Sequence, residues 1–310
     1  MTFNPEITLL IALTVISAAT PLVFAAIGEL VVEKSGVLNL GVEGMMLAGA
    51  VSGFAVAHFS GSAFLGVLAG VLAGMALALV FAFLTLHLRA SQVATGLALT
   101  IFGVGLSALV GQSLIGVAYS GMPTYAIPVL ADIAYIGPLF FQHDLLVYGS
   151  IVLVVAVSLF LKHTRAGLIV KAVGDSPEAA HALGYSVLRV RYLAVLFGGA
   201  CAGLAGCYLS MAYAPMWVES MSAGRGWIAL ALVVFATWQP GRLLFGAYLF
   251  GGITILQLHA QAIGINVPSQ LMSMLPYLAT IFVLVLISSD SGRIRKNAPA
   301  SIGQAFHPIK

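Results

Sequence analysis

The stretch KHTRAGLIVKAVGDSPEAAHALGYSVLRVR, residues 162–191, separates two long apolar runs and decides how this chain is arranged in a membrane. It contains five of the thirteen Lys and Arg residues of the chain. Loops that carry an excess of Lys and Arg stay on the cytoplasmic side of the membrane. We therefore predict that residues 162–191 form a cytoplasmic loop between two membrane spans.

The centre of this loop predicts a short helix. Ser176 suits the N-cap, Pro177 suits the first helical position, and Gly184 suits the end of the helix. The predicted helix consists of Asp175, Ser176, Pro177, Glu178, Ala179, Ala180, His181, Ala182, Leu183 and Gly184. A rigid, capped helix outside the membrane is suited to contact another protein.

The composition predicts an all-α, polytopic integral membrane protein. Hydrophobic residues make up 61% of the chain and charged residues 7%, whereas a soluble domain carries about 25% charged residues. A chain of 310 residues has room for about ten spans of about 20 residues each. We expect one transmembrane domain over residues 1–290 and a cytoplasmic tail over residues 291–310, with no soluble domain.

The apolar runs predict eight to ten transmembrane helices. They lie near residues 7–27, 45–59, 62–88, 93–115, 145–161, 192–213, 227–238, 243–263 and 271–288. The first run lacks the basic start of a cleavable signal peptide, so we expect it to be a retained span. Residues 116–144 contain no Lys or Arg, which predicts an external loop. Arg293, Arg295 and Lys296 place the C-terminus in the cytoplasm, and nine crossings from an external N-terminus satisfy these assignments.

Two of the runs look too short to cross a membrane. Residues 45–59 and 227–238 are both preceded by glycine and charge. Non-helical backbone at membrane depth persists where it is buried in protein or lines a cavity, and broken helices mark the binding sites of many transporters. We therefore expect one or two broken or re-entrant segments beside a translocation path.

The first polar segment, GELVVEKSGVLNLGVEG at residues 28–44, concentrates acidic side chains between two apolar runs. It holds Glu29, Glu33 and Glu43 together with Lys34 and Asn39. In a helix, Asn39 and Glu43 would share one face. Two interpretations stay open: these side chains line a path, or they form a cytoplasmic hairpin whose charges meet water or pair with Lys34.

The second polar segment, ESMSAGRG at residues 219–226, places Arg225 between two glycines. A guanidinium and exposed backbone amides would both donate hydrogen bonds to a polar solute. Arg225 could equally pair with Glu219 as a structural clamp. The path candidates from both segments are Asn39, Gly41, Glu43, Gly44, Arg225 and Gly226.

Small residues at four-residue spacing predict close helix packing. Glycines at this spacing let helix backbones approach each other in lipid. They are Gly66, Gly70 and Gly74 in one run, and Gly199 and Gly203 in another. The two cysteines, Cys201 and Cys207, have neither metal-ligand nor redox spacing, so we expect them to be packing residues.

Catalytic functions find no support in the sequence. It contains no G-x-x-x-x-G-K-[ST] phosphate loop, no H-E-x-x-H metal motif and no G-x-S-x-G nucleophile motif. We therefore predict no catalytic residue, no metal, no cofactor and no nucleic-acid partner, and any ATP hydrolysis must occur on another subunit.

Four segments in order resemble the permease subunits of ABC importers of the branched-chain amino acid and ribose group. They are GELVVEKSGVLNLGVEGMMLAGA (28–50), RAGLIVKAVGDSPEAAHALGYSVLRVR (165–191), GGACAGLAGCYL (198–209) and SAGRGWIALALVVF (222–235). Within that group, the sequence is most similar to permeases of simple-sugar and nucleoside systems, whose binding proteins are of the basic membrane lipoprotein type. The resemblance covers nearly the whole chain.

This resemblance implies a function and a set of partners. Residues 175–184 would be the coupling helix that docks on an ABC ATPase, and an external lipoprotein would deliver the solute. A second, homologous permease would complete the path, as a heterodimer or alternatively a homodimer. The expected location is the inner membrane of a bacterium, in contact with membrane lipid. The expected solute is a nucleoside, a purine-like base or a simple sugar.

Two other classes of function remain open from the residues. An ion-coupled secondary transporter would use one of the three glutamates of residues 28–44 as a titrating group, and it would not need the capped helix. A structural scaffold would not need broken spans. The aromatic side chains that could stack on a nucleobase are Phe54, Phe102, Trp217 and Trp227, although membrane proteins use many aromatic residues for packing or interfacial anchoring.

Overall fold

The computed structural model describes residues 5–262, positions 271, 274, 275, 278, 281, 282 and 285, and residues 297–307. These residues form a helical bundle with one short β-hairpin. The helices are α1 (Pro5–Lys34), α2 (Val42–Ser60), α3 (Ala63–Ala82), α4 (Gln92–Gly111), α5 (Ile136–Phe141), α6 (Leu145–His163), α7 (Arg165–Asp175), α8 (Pro177–Ala182), α9 (Val187–Tyr208), α10 (Arg225–Phe235) and α11 (Pro240–Ala262). Strands β1 (Thr124–Ala126) and β2 (Gln142–Asp144) pair antiparallel.

Seven helices of the described part are long and apolar enough to cross a membrane, which confirms the all-α polytopic class. They are Ile7–Lys34, Val42–Ser60, Ala63–His87, Gln92–Leu114, Leu145–His163, Val187–Tyr213 and Pro240–Gln261. Two of these spans end in a π-helical turn, at Phe83–His87 and at Leu209–Tyr213. The predicted last span, residues 271–288, lies mostly outside the described residues.

The prediction that residues 45–59 are too short to span is wrong. They belong to α2, whose 19 residues begin at Val42. The sequence argument began this run at Met45 because glycine and charge precede it, but Glu43 and Gly44 both lie in the first turn of the helix. A buried carboxylate is tolerated there because it binds backbone N–H groups of a neighbouring helix.

The second predicted break is present. Helix α10 has only 11 residues, and residues 214–224 before it are not helical, apart from turns. This non-helical chain is tied to the loop after α4 by two isolated β-bridges, Ile115 with Trp217 and Ala118 with Met216. The segment from residue 214 to residue 238 therefore combines extended chain with a short helix, as is typical of broken or re-entrant segments in transporters.

The two glycine stripes lie against each other at the centre of the bundle. A Cβ atom on Gly74 of α3 would lie 2.8 Å from the Cα of Gly203, and one on Gly70 would lie 2.7 Å from the carbonyl oxygen of Gly49 in α2. The other stripe residues, Gly66 and Gly199, also contact backbone of the facing helices. Helices α2, α3 and α9 can therefore approach to backbone contact, which needs residues without a side chain at these positions.

Candidate functional site

Glu43 binds the N-terminus of the short helix α10. Its Oε1 accepts hydrogen bonds from the Ser222 hydroxyl at 2.6 Å and from the Gly224 N–H at 2.8 Å, and its Oε2 accepts one from the Gly226 N–H at 2.6 Å. The unpaired N–H groups at a helix start carry partial positive charge, which a carboxylate stabilises. The two polar segments found in the sequence thus meet in a single contact.

Glycine makes this contact possible. A Cβ atom on Gly226 would lie 2.6 Å from Oε2 and 2.7 Å from the Cα of Glu43, and one on Gly44 would lie 2.5 Å from the Leu99 carbonyl oxygen. Gly224 has φ +80°, a conformation that disfavours other residues. Gly226 therefore lets α10 begin beside α2, whereas Gly44 lets α2 pack closely against α4.

Asn39 lies outside any helix, so the prediction that it shares a helix face with Glu43 is wrong. The chain leaves α1 at Lys34 and turns back, and the Asn39 N–H donates to Glu29 Oε1 at 3.1 Å. The Asn39 Oδ1 accepts from the Gly41 N–H at 3.0 Å, as in an Asx turn. Glu29 lies five residues before the end of α1, which is about 7.5 Å along the helix axis. The chain after α1 therefore returns by about this distance before α2 begins.

The other backbone groups of the returning chain also find partners. Leu38 N–H donates to Gln92 Oε1 at 2.8 Å, and the Thr100 hydroxyl donates to the Leu40 carbonyl at 3.0 Å. Helix α4 therefore supports residues 38–40 from the side opposite α1. Such pairing is the condition for non-helical backbone inside a membrane protein.

Glu33 holds the other end of α10. The Trp238 indole N–H donates to Glu33 Oε2 at 2.6 Å, and both Thr237 (φ +48°) and Trp238 (φ +53°) are left-handed. A left-handed residue other than glycine costs about 1 kcal/mol or more, so the surrounding contacts must hold this turn. Sequence reasoning missed Trp238 and Ser222, since no local pattern links them to glutamates some two hundred residues away.

We call Glu29, Glu33, Asn39, Glu43 and the N-terminus of α10 the polar junction. The side chains of all four residues are buried, with exposed fractions of 7% or less. One carboxylate oxygen, Glu29 Oε2, is buried without a hydrogen-bond partner among the described residues. A buried acceptor in this state is unfavourable unless a proton, water or a ligand satisfies it.

Arg225 lies beside the polar junction, and its described contacts are with the turn before α10 and with Tyr213. Its Nη1 donates to the carbonyl oxygens of Met221 at 3.2 Å and Ser222 at 3.3 Å. Its guanidinium carbon lies 5.3 Å from the centre of the Tyr213 ring, within the range of a cation–π contact. The contacts of Arg225 therefore support the turn before α10, and they do not include the pair with Glu219 that was one of the two alternatives from sequence.

The charges of the first segment do not form the alternative hairpin in water. Lys34 Nζ donates to the Asn297 carbonyl oxygen at 2.6 Å, and the three glutamates bind the partners given above. Cys201 and Cys207 are free and buried. No group of three His, Cys, Asp or Glu side chains suited to a metal occurs among the described residues.

The four aromatic candidates do not form a common site. Phe54 and Trp217 are fully buried in the same apolar cluster, whereas Phe102 is 54% exposed on the outside of α4. Trp227 packs against the main core.

The predicted cytoplasmic helix is α8, and it is shorter than predicted. Ser176 caps it by accepting a hydrogen bond from the Ala179 N–H at 3.3 Å, with Pro177 at the first position. Gly184 (φ +87°) follows its end. Asp175 is the last residue of α7 and is not part of α8, because the extended backbone of Ser176 separates the two helices.

Helix α8 has a buried face and an exposed face. Ala180 is 2% exposed and packs with Val173, Val187 and Phe306. Leu183, just after the helix, is 78% exposed, and Glu178, Ala179, His181 and Ala182 are also exposed. An exposed leucine on a rigid, capped helix is suited to insert into a cleft of another protein.

Comparisons with known proteins give one consistent result. The profile of the family described as branched-chain amino acid transport system / permease component matches residues 11–285. The chain is 41% identical to a candidate glucose ABC transporter permease protein, TsgC13, of Haloferax volcanii, over 94% of this chain and 95% of that protein.

Two nucleoside-related permeases show a similar match. The nucleoside ABC transporter permease protein NupC of Lactococcus lactis is 33% identical over 86% of this chain and 89% of its own length. The guanosine ABC transporter permease protein NupQ of Bacillus subtilis is 32% identical over 86% and 88%. Haloferax volcanii and Lactococcus lactis each also have a second, more distant match, the glucose permease TsgB13 at 26% identity and the nucleoside permease NupB at 28%.

Proposed function

Because the chain belongs to the family of permease components of branched-chain amino acid transport systems, we propose that it carries an uncharged, hydroxyl-bearing solute, a nucleoside or a simple sugar, through an ABC importer. The chain is a multi-pass membrane permease subunit of an ABC transporter, and it is not an enzyme. ATP hydrolysis belongs to a separate subunit. The nucleoside part of the proposed class is supported by relatives that are named for nucleosides and for guanosine.

One observation carries the choice of an uncharged solute: the polar junction is acidic. Glu43 already occupies the positive end of α10, which in other transporters attracts anionic groups of substrates. A carboxylate or phosphate on the solute would therefore meet Glu29 and Glu33 without a compensating charge from α10. Glu29 Oε2, which lacks a partner among the described residues, can accept a hydrogen bond from a sugar or ribose hydroxyl.

The contacts of the polar junction support a proposed set of path residues. We assign Asn39, Gly41, Glu43, Gly44, Arg225 and Gly226 to the wall of the translocation path. Their role is to hold the broken backbone of residues 35–41 and the start of α10 at membrane depth. Alternating access would move α10 relative to α2 by breaking and remaking the three hydrogen bonds of Glu43.

Residues 175–184, with α8 at their centre, are assigned as the coupling helix. Two structural observations support this assignment: Leu183 is exposed just after α8, and Ala180 lies on the buried face of α8. The basic residues of the loop favour the cytoplasmic side. Docking there would bring the ATPase to the same end of the bundle as the C-terminal residues. On this assignment the C-terminus is cytoplasmic and the chain lies in a bacterial plasma membrane.

An ABC permease of this family works with an ATPase and a substrate-binding protein. We assign an external binding lipoprotein to the latter role. The paired matches in Haloferax volcanii and Lactococcus lactis support a second, different permease, and so a heterodimer. A homodimer is the alternative, and purification of the complex with distinct tags on the two permeases would distinguish them.

Uptake into cells that carry the complete transporter tests the proposed function. The panel contains labelled nucleosides, nucleobases and simple sugars, together with a nucleoside monophosphate and leucine as charged comparisons. We expect uptake of one uncharged class, and none when the ATPase carries a disabling substitution. Uptake that persists without ATP hydrolysis would instead favour an ion-coupled carrier, and preferred uptake of the monophosphate or of leucine would refute the uncharged class.

A further inference from the structure

The C-terminal residues 297–307, which we call the C-terminal strap, connect two distant parts of the bundle. Both the N–H and the hydroxyl of Ser301 donate to the Gly174 carbonyl oxygen, at 2.9 and 2.7 Å. The Gly303 N–H donates to the Gly36 carbonyl oxygen at 3.1 Å. The strap therefore joins the last turn of α7 to the returning chain that follows α1.

Arg191 is a buried residue that binds the strap through hydrogen bonds. Its Nε donates to the Ser35 carbonyl at 3.1 Å, its Nη1 to the Gln304 carbonyl at 3.0 Å, and its Nη2 to the Ser301 hydroxyl at 3.1 Å. Arg191 is fully buried. A buried guanidinium is costly unless its donors are satisfied, so this residue holds the returning chain and the strap in one fixed geometry.

The end of the strap supports α8 directly. Phe306 is 6% exposed and packs with Ala180 and Val187, and its ring centre lies 5.5 Å from that of His181 in an edge-to-face contact. Replacing Phe306 by a smaller residue would remove part of the buried support of α8. The exposed tip at Leu183 would remain unchanged.

A continuous set of contacts thus leads from α8 to the polar junction. It passes from Phe306 along the strap to Gly303, whose N–H binds Gly36, and then along three residues to Asn39, which binds Glu29. The strap is held on this route by the hydrogen bonds of Ser301, Gly303 and Gln304. Gly174 also contacts the backbone of Lys34 directly. A shorter connection from α7 to the end of α1 therefore exists beside the one through the strap.

We infer that the C-terminal strap is a coupling element, which transmits displacement of α8 to the chain of residues 35–41 and so to the polar junction. This inference rests on the proposed role of α8 as the ATPase contact. It predicts that the strap affects how much solute moves per ATP hydrolysed, and that it does not affect whether the ATPase binds. A residue that only stabilises the fold would lower the amount of protein and leave this ratio unchanged.

The test uses the complete transporter in proteoliposomes and measures solute transported per ATP hydrolysed. The variants are Ser301→Ala, which removes the hydroxyl shared by Gly174 and Arg191, Phe306→Ala, and the two combined. Gln304→Ala is the matched control, because Arg191 binds the backbone carbonyl of that exposed residue. We expect the double variant to lower the ratio by about fivefold, the lower end of typical coupling between sites, while Gln304→Ala leaves it unchanged.

Two results separate this inference from the proposed function. Leu183→Asp should abolish copurification of the ATPase, and retained copurification and uptake would refute the role of α8 itself. If Leu183→Asp behaves as expected but the Ser301→Ala, Phe306→Ala variant keeps the normal ratio, the strap has no coupling role and the shorter route through Gly174 suffices. If the double variant does not accumulate, Ser301→Ala alone decides, since it removes a single hydroxyl, and a normal ratio overturns the inference.

Discussion

Glu43→Gln is the substitution that most directly tests the contact between α2 and α10. Glu43 accepts three hydrogen bonds, two from backbone N–H groups at the start of α10 and one from Ser222. Glutamine keeps the size of the side chain but replaces one acceptor oxygen with a donor NH2 group. In either orientation of the amide, the NH2 group faces the N–H of Gly224 or of Gly226, so one backbone hydrogen bond is lost.

The magnitude follows from two contributions. A buried N–H left without an acceptor costs about 1–3 kcal/mol. Loss of the negative charge at a helix N-terminus costs about 0.3–1 kcal/mol more, and up to about 2 kcal/mol in partly buried sites. We therefore expect the local opening of the first turn of α10 to become easier by about 2 kcal/mol or more, which corresponds to about 30-fold faster opening-limited exchange of its amides.

Hydrogen exchange with mass spectrometry measures this change in detergent-solubilised protein. The informative peptide covers residues 222–235, and the expected result is about 30-fold faster exchange at the start of α10 in Glu43→Gln. Glu219→Gln is the control, because Glu219 is an exposed carboxylate three residues before Ser222. Equal exchange in wild-type protein and Glu43→Gln would refute the argument that this carboxylate holds α10, and with it our assignment of Glu43 to the moving wall of the path.

Two further substitutions test other parts of the structure. Gly226→Ala should abolish uptake, because a Cβ atom at this position would lie 2.6 Å from Glu43 Oε2. Gly241→Ala is the control and should not abolish uptake, because a Cβ atom there would meet no atom within 4 Å. Equal uptake by both variants would contradict the tight packing of α10. Ala180→Trp should lower the thermal stability of the purified permease, since overpacking a buried site costs about 1–3 kcal/mol and Ala180 is 2% exposed. Leu183→Asp should leave the melting temperature unchanged, and a stable Ala180→Trp protein that only loses ATPase binding would show that Ala180 faces outward.

The two short apolar runs, residues 45–59 and 227–238, differ in how well the sequence predicted their structure. Length and charge predicted breaks at both, and only α10 is short in the structure. The helix extends before residue 45 because Glu43 accepts three hydrogen bonds from Ser222, Gly224 and Gly226, in the turn before α10 and at its start. From sequence, the charge of Glu43 argued against a position inside the membrane. Its hydrogen-bond partners lie some 180 residues further along the chain, and no local pattern identifies them.

The sequence by itself determined the membrane class, the cap and stop residues of α8, and the family, whereas seven long spans lie in the described part of the chain against the eight to ten predicted. These features depend on composition, on apolar run length and on residues within four positions of each other, so local physics suffices. Only the tertiary structure decided that Glu43 and Glu33 hold the two ends of α10, and that Asn39 returns to Glu29 outside any helix. It alone placed Ala180 inward and joined the C-terminal strap to Arg191. These contacts link residues far apart in the chain, and buried polar groups select such partners by geometry that no local pattern records.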